Sequence, residues 1–366
     1  MYAYLDPPSV TRHRSVRELL GEYYAASREA FYSVDLGSDR GRLPLVTRPA
    51  WLQPTRDVAG VVGGFRPVAS SAVDESFLSA YRQAIRVVTG AEPELWNGAV
   101  LRVVSLDRDT IRLGFELTDY YSYLSDGLSL AIEAYEAVGS ARPASLPRRQ
   151  AAASDVESVL DVRARHTKLG VNTFCVLQPG DRSPVALVGR RSSRVAEHPS
   201  RYSVMPAGTL DYRPDTSEGL GQAPIEELVL REFSEELLDT PTAEDSSQEH
   251  AHLRRLRALL DGTGADLWVS GFGVELLRGQ PELTLLLYIE DPDFSEAVLE
   301  DLSVTWEFDQ AQGSSDLIHP VSDSSFLELV TDIETVPSST MAACQGLQIL
   351  RAQYGLDVPD PIGDGG

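Results

Sequence analysis

Residues 231–237 constrain this chain more than any other segment, because they place three carboxylates within five positions of an expected helix. Residues three and four apart share a helix face, so Glu232, Glu235 and Glu236 should converge. Like charges at this spacing repel, by roughly a few tenths of a kcal/mol for each exposed pair. Three carboxylates directed at one point indicate a cation there, most plausibly Mg²⁺, which prefers oxygen ligands.

The apolar pattern of the same expected helix, residues 224–238, directs two of these carboxylates inward. Its apolar residues recur every four positions: Ile225, Val229, Phe233 and Leu237. At about 100° per residue, Glu232 and Glu236 fall near the centre of this apolar arc. A buried carboxylate needs a partner. The alternative is a solvated acidic helix with ordinary ion pairs, such as Glu227 with Arg231.

Composition limits the class of protein. A net charge of −23 argues against broad nucleic-acid binding, which needs a basic surface. The sequence has no apolar run long enough to cross a membrane and no secretory signal. Its two cysteines, Cys175 and Cys344, cannot form a disulfide framework, so we expect a cytoplasmic protein. Lys168 is the only lysine, which we attribute to composition bias.

The order of expected elements predicts α/β or α+β layers in two domains. Residues 139–154 are small, proline-bearing and aperiodic, and they suit a linker. We therefore expect an accessory α/β domain over residues 1–150, a second domain over 155–356 and a disordered tail over 357–366. In the second domain we expect strands at 172–178, 184–190, 202–205, 266–277, 283–289 and near 304–308, and helices at 224–238, 248–260, 326–333 and 340–354.

Residues 231–236 read Arg-Glu-Phe-Ser-Glu-Glu, and here the chain resembles the Nudix hydrolase family, whose signature ends in Arg-Glu-apolar-X-Glu-Glu. The turn at 206–208, Pro-Ala-Gly, and the strand ending in Arg190 and Arg191 are similar to the family's upstream elements. The match departs at Ala223, where the family pattern has glutamate, and at Leu238, where it has glycine. Residues 211–221 also make a longer loop than the pattern allows, from which Glu218 could reach the site.

The resemblance implies a Nudix-type α/β/α sandwich with a mixed sheet, preceded by the smaller N-terminal domain. It implies Mg²⁺-dependent hydrolysis of a diphosphate linkage in a nucleoside diphosphate derivative, with Mn²⁺ as an alternative metal. Glu232, Glu235 and Glu236 would bind the metal, with Glu235 or Glu236 also catalytic. Substrate contacts would come from Arg190, Arg191 and Gly208, while Arg231 would orient a glutamate.

Several alternatives stay open. The general base is Glu235, Glu236, or a carboxylate after the strand 283–289, namely Glu290 or Asp291. The departures at Ala223 and Leu238 leave room for a Nudix-fold binding or sensor module without turnover. A diphosphate isomerase is a third reading, although neither cysteine lies in a suitable motif. The expected partner is a small nucleotide-type substrate, with no membrane, and a homodimer is compatible with the sequence.

Overall fold

The computed structural model describes residues 10–35, 40–70, 75–89, 97–138, 145–193, 195, 197–210, 212, 223–238, 251–309 and 312–361. Glu218, most of the loop 211–221 and the end of the tail, 362–366, lie outside the described residues. Of the expected linker, residues 145–154 are described, and they include a short helix at Pro147–Ala152.

The strands, in chain order, are β1 Phe31–Asp35, β2 Arg40–Val46, β3 Val62–Ser70, β4 Ala99–Leu106, β5 Leu113–Asp119, β6 Gly170–Leu177, β7 Val185–Arg190, β8 Tyr202–Val204, β9 Ala207–Thr209, β10 Ala265–Glu275, β11 Gln280–Ile289 and β12 Ile318–Pro320. The helices are α1 Val10–Tyr23, α2 Glu75–Thr89, α3 Tyr120–Tyr123, α4 Ser129–Val138, α5 Pro147–Ala152, α6 Val156–Leu160, α7 Pro224–Glu232, α8 Ala251–Asp261, α9 Pro292–Asp301, α10 Ser324–Thr331 and α11 Pro337–Tyr354.

A large mixed sheet organises the structure. Its order is β1-β2-β10-β11-β6-β7-β12, with β8 beside β7 and β9 beside β6. The β11–β6 pair is parallel, whereas its neighbours β10–β11 and β6–β7 are antiparallel. A second sheet has the order β3-β5-β4. The expected mixed α/β architecture is confirmed.

Helices cover both faces of the large sheet. Alternate residues of a strand point to opposite faces, and along β6 Cys175 belongs to one hydrophobic core while Phe174 belongs to another. The first core also contains Ile225 of α7, and the second contains Leu347 of α11. Strands buried on both faces read as continuous apolar runs, as residues 174–177 of β6 and 285–289 of β11 do.

The sequence of the N-terminal part misleads about the limits of two elements. The apolar spacing of Leu19, Leu20 and Tyr23 predicts a helix over residues 15–32, but α1 ends at Tyr23 and Tyr32 lies in β1. Residues 43–51 are predicted to be extended, but β2 ends at Val46 and a 3-10 turn follows at Pro49–Leu52. The positions of apolar residues alone do not distinguish a helix from a strand or a turn in these short segments, because the same side chains are buried in each case.

The N-terminal strands take part in the large sheet. Val46 of β2 pairs with Val274 of β10, and Trp51 packs edge-on against Phe272 with ring centroids 5.1 Å apart. The second sheet is joined to the segment that precedes β6. The backbone N–H of Val103 in β4 donates to Thr167 O at 2.9 Å. The division into domains 1–150 and 155–356 stays a prediction.

Among the helices that the structure describes, none combines the length and apolar character that a membrane-spanning segment needs.

Candidate functional site

A cleft of about 390 Å³ opens between β6, β9, the end of α7 and the segment that follows α9. Glu232, Gly208, Arg191, Glu307, Lys168 and Tyr120 are among the residues that line it. Four of the six stood out in the sequence: Glu232, Gly208 and Arg191 as candidate site residues, and Lys168 as the only lysine. A strand edge, a helix end and a connecting loop meet here, which is a common position for a binding site in an α/β protein.

The acidic segment begins as the α-helix α7 and continues as a π-helical turn over Phe233–Leu237. The wider turn changes which side chains share a face. Glu236 is 1% exposed and the Glu232 side chain is 13% exposed, whereas Glu235 is exposed to solvent. Two of the three glutamates therefore turn inward, as the apolar arc predicted, and the third does not.

Glu236 is held by the backbone of the Pro-Ala-Gly turn. Its Oε2 accepts a hydrogen bond from Ala207 N at 2.9 Å, while its Oε1 is buried and has no hydrogen-bond partner among the described residues. Burial raises the pKa of Glu236 well above its ordinary range, and the neighbouring Glu232 and Glu307 raise it further. An unpaired buried oxygen of this kind is costly unless a ligand compensates it.

Glu232 lies against Gly208. A Cβ at that glycine would stand 2.2 Å from the Oε1 of Glu232, so only glycine leaves space for the carboxylate. Arg231 Nη2 donates to the same oxygen at 2.7 Å. Burial raises the pKa of Glu232 to about 7, although the Arg231 guanidinium acts in the opposite direction. The expected orienting role of Arg231 has the contact that it requires.

Glu307 is a site residue that the sequence analysis missed. The strand expected near 304–308 is instead a turn, in which Phe308 N donates to Thr305 O at 3.1 Å. Ser303 N donates to Leu237 O at 2.9 Å, which ties this segment to the end of the acidic helix. Burial raises the pKa of Glu307, and Arg191 lowers it. No local motif marks Glu307, because a tertiary contact brings it to the cleft.

The side chains of Arg190 and Arg191, at the end of β7, lie in different places. Arg191 lines the cleft, with its Nη2 3.7 Å from Glu307 Oε2 and its Nε donating to Glu197 O at 3.3 Å. Arg190 does not line it. Its Nε donates to Ser200 O at 3.0 Å, and its guanidinium lies 5.7 Å from the ring centroid of Tyr202. Neighbouring residues of a strand point to opposite faces, which explains the split.

The two carboxylates proposed from the β11 terminus do not line the cleft. Asp291 caps α9 by accepting from Phe294 N at 2.7 Å, and it pairs with Arg255 at 2.7 Å. Glu290 is exposed. Glu307 lines the cleft together with Glu232, and both carboxylates act on the buried Glu236, which is not itself a lining residue.

The other end of the cleft is a buried network of charges. Lys168 Nζ lies 2.7 Å from Glu197 Oε1 and 4.5 Å from the ring centroid of Tyr123. The guanidinium of Arg278 forms ion pairs with the carboxylates of Glu197, Glu275 and Glu282. Burial raises the pKa of Glu282 to about 8, with Arg278 acting in the opposite direction. Lys168, the only lysine of the chain, is therefore buried in contact with Glu197 and Tyr123.

A bound metal ion such as Mg²⁺ needs several oxygen ligands that converge on one point. In the described part of the chain, no group of three or more His, Cys, Asp or Glu side chains is arranged as a metal-ligand set. Glu232, Glu235 and Glu236 therefore do not stand as a ready-made triad. The unpaired Oε1 of Glu236, beside two carboxylates whose pKa values are also raised, nevertheless fits a cation, which would relieve the repulsion.

No protein-family profile matches the chain, and no curated protein matches it. Among solved structures, the chain is similar to the crystal structure of a Nudix hydrolase from Alicyclobacillus acidocaldarius, with 14% sequence identity and a TM-score of 0.24. The alignment covers 50% of this chain and 95% of that one.

Proposed function

We propose that this chain hydrolyses a diphosphate linkage in a nucleoside diphosphate derivative, with Mg²⁺ or Mn²⁺ as the metal. The observation that carries the proposal is the buried, unpaired Oε1 of Glu236 beside Glu232 and Glu307, two carboxylates that line the cleft. Buried acids with strongly shifted pKa values in a cleft are typical of functional sites. The Arg-Glu-apolar-X-Glu-Glu pattern of residues 231–236 supplies independent support.

Glu232 and Glu236 would hold the metal, with the backbone of Gly208 beside them. Glu235 stays in the proposed set on the strength of its motif position, although its side chain is exposed in this structure. When bound, a divalent cation of this kind neutralises phosphate charge and lowers the pKa of bound water. Arg231 would keep Glu232 oriented through its 2.7 Å hydrogen bond.

Glu307 is the general base that we propose for the attacking water. Its raised pKa brings the carboxylate closer to the working range of a base at neutral pH. It would accept the proton of water as the water oxygen bonds to phosphorus and the bridging P–O bond breaks. Arg191, paired with Glu307 in this structure, has the planar donor fork that suits a phosphate oxygen. Arg190 is not part of this proposal, since it faces away from the cleft.

A second candidate function is a ligand-binding or sensor module of the same fold without turnover. The specific observation in its favour is that the described acidic side chains form no ready-made metal-ligand set. The departures from the signature at Ala223 and Leu238 agree with it. Both candidates place the ligand in the same cleft, so turnover distinguishes them.

The test is release of phosphate-bearing products from a panel of nucleoside diphosphate derivatives with Mg²⁺. Glu236→Gln should lower turnover by roughly 10²-fold or more, since it removes a group that acts on the charged transition state. Glu227→Gln on the same helix is the matched control. Glu227 does not line the cleft, and its Oε1 lies 2.6 Å from Nη1 of Arg257. Tight ligand binding without turnover supports the sensor. Turnover that survives both Glu235→Gln and Glu236→Gln shows that the assigned site is wrong.

A further inference from the structure

Trp306 is the large hydrophobic side chain that the described structure leaves exposed, at 63% of its surface. Trp51 and Trp268 are buried. An exposed indole keeps a large apolar surface in water, although its ring could bury 150–250 Å² in a contact. Its position matters more than its exposure, because Trp306 lines the cleft that contains Glu232 and Arg191.

The backbone around Trp306 is held on both sides. Thr305 O accepts from Phe308 N at 3.1 Å, and Glu307 O accepts from Ser192 N at 2.7 Å. Phe308 is 1% exposed and would touch any side chain placed at Gly189. The turn is therefore anchored by buried contacts while the indole points out. Because the backbone of the turn is already fixed, ligand binding at Trp306 does not have to order it.

The surroundings of Trp306 indicate which ligand suits it. Arg191, Glu307 and Lys168 line the same cleft, so the pocket is polar and charged around the aromatic rings of Trp306 and Tyr120. An apolar protein surface would leave these charges buried without compensation. A small ligand with one planar ring and an anionic group satisfies both kinds of surface.

We propose that Trp306 is a specificity-determining residue that stacks on a planar aromatic ring of the ligand. The inference rests on the proposed function, since the ring must belong to a phosphate-bearing ligand of the same cleft. Stacking of a base on an aromatic side chain tolerates different bases, because each has a flat face. The subsite therefore selects for a ring and against ligands that lack one.

The test compares ligands that differ only in the ring. The binding of AMP, GMP, CMP and UMP is measured by calorimetry with Mg²⁺ present, beside ribose 5-phosphate, which has no base. Phosphocholine, which carries a cation in place of a ring, is the third kind of probe, because indoles also bind cations. These monophosphates contain no diphosphate linkage, so the binding measurement is independent of turnover.

The wild-type protein should bind at least one nucleotide more tightly than ribose 5-phosphate, and Trp306→Ala should weaken that nucleotide roughly 5- to 100-fold. Trp306→Phe should keep most of the preference. Nucleotide binding should also quench tryptophan fluorescence in the wild type and in Trp268→Phe, and the quench should vanish in Trp306→Phe. Thermal melting of Trp306→Ala checks that the fold is retained.

Equal binding of nucleotides and ribose 5-phosphate overturns the inference and leaves the phosphate site standing. A Trp306-dependent preference for phosphocholine overturns it in favour of a cation subsite. Binding of none of the probes to the wild type overturns both this inference and the proposed ligand class. Failure of hydrolysis alone, with the ring preference intact, counts against the proposed turnover and not against Trp306.

Discussion

The carboxylate of Glu236 accepts a hydrogen bond from the backbone N–H of Ala207 at 2.9 Å, which joins the acidic helix to the strand edge at β9. One oxygen is thereby satisfied, and the other is buried without a partner among the described residues. This hydrogen bond brings the acidic segment and the Pro-Ala-Gly turn into one site, although Ala207 and Glu236 are 29 residues apart in sequence.

Stability without metal should decrease as the pH rises from about 5 to 8. Glu232, with its pKa raised to about 7, and Glu236 bind protons in the folded state that the unfolded chain has already lost. Where the folded state holds more protons, stability falls with rising pH, here by on the order of 1 to 3 kcal/mol. Urea unfolding at each pH measures it. Glu236→Gln should make stability less dependent on pH, and Mg²⁺ should offset the loss of wild-type stability at high pH. If the wild type and Glu236→Gln lost stability in parallel as the pH rose, Glu236 would not be the source of the effect.

Gly208→Ala should remove activity by displacing the Glu232 carboxylate, whose Oε1 would lie 2.2 Å from the new Cβ. Overpacking of this kind costs about 1–3 kcal/mol of stability. Gly21→Ala is the control, since nothing lies within 4 Å of its new Cβ and it lies within α1. That substitution should stabilise the protein by about 0.5–1 kcal/mol. Full turnover in Gly208→Ala would show that Glu232 is not needed in its present position.

Arg191→Ala should raise KM or lower kcat, while Arg190→Ala should leave both nearly unchanged. Arg191 lines the cleft, whereas Arg190 interacts with Ser200 O and the Tyr202 ring. A lost charged hydrogen bond to phosphate costs about 1.5–3 kcal/mol, which corresponds to roughly 10- to 150-fold in kcat/KM. Steady-state kinetics of the two variants gives the comparison, and equal effects would place the phosphate elsewhere.

Glu307→Gln should lower kcat by roughly 10²- to 10⁴-fold if the residue is the general base. In the wild type, the acid side of the pH–rate profile should fall at a pH above the ordinary glutamate range, because burial raises the pKa of Glu307. That limb should disappear in the variant. Glu290→Gln serves as the control, since Glu290 is an exposed carboxylate outside the cleft. An unchanged limb in Glu307→Gln would assign the base to another group.

Arg278→Leu should destabilise the protein by about 3–5 kcal/mol, because it leaves Glu197, Glu275 and Glu282 buried without their shared cation. Chemical denaturation measures the change. Arg182→Ala removes an exposed ion pair with Glu296 and should change stability by about 0.5 kcal/mol or less. Similar losses in the two variants would mean that the buried network is not structurally important.

Much of the fold could be predicted because it depends on local patterns. The apolar runs of β6 and β11 and the four-residue apolar spacing of α7 each report burial directly. The same spacing predicted that Glu232 and Glu236 turn inward. The prediction for Glu235 assumed a regular α-helix, and the π-helical turn over Phe233–Leu237 leaves its side chain exposed instead.

What lay beyond prediction depends on contacts between distant segments. Glu307 reaches the cleft because Ser303 is bound to Leu237, and Lys168 is buried because Glu197 and Tyr123 meet it. Nothing within a few residues of Glu307 or Lys168 signals these partners. Arg190 and Arg191 are adjacent and chemically identical, so only the strand's orientation in the sheet could separate them.

The sequence by itself determined the layered α/β class, the acidic helix and the inward direction of two of its glutamates, since periodicity depends only on local backbone geometry. The tertiary structure decided which side chains share the cleft, because burial, pKa shifts and unpaired oxygens arise only when separate elements pack together. In residues 231–237 the sequence predicted three converging glutamates. In the structure only Glu232 and Glu236 turn inward, and Glu307 from another part of the chain lies close enough to affect Glu236.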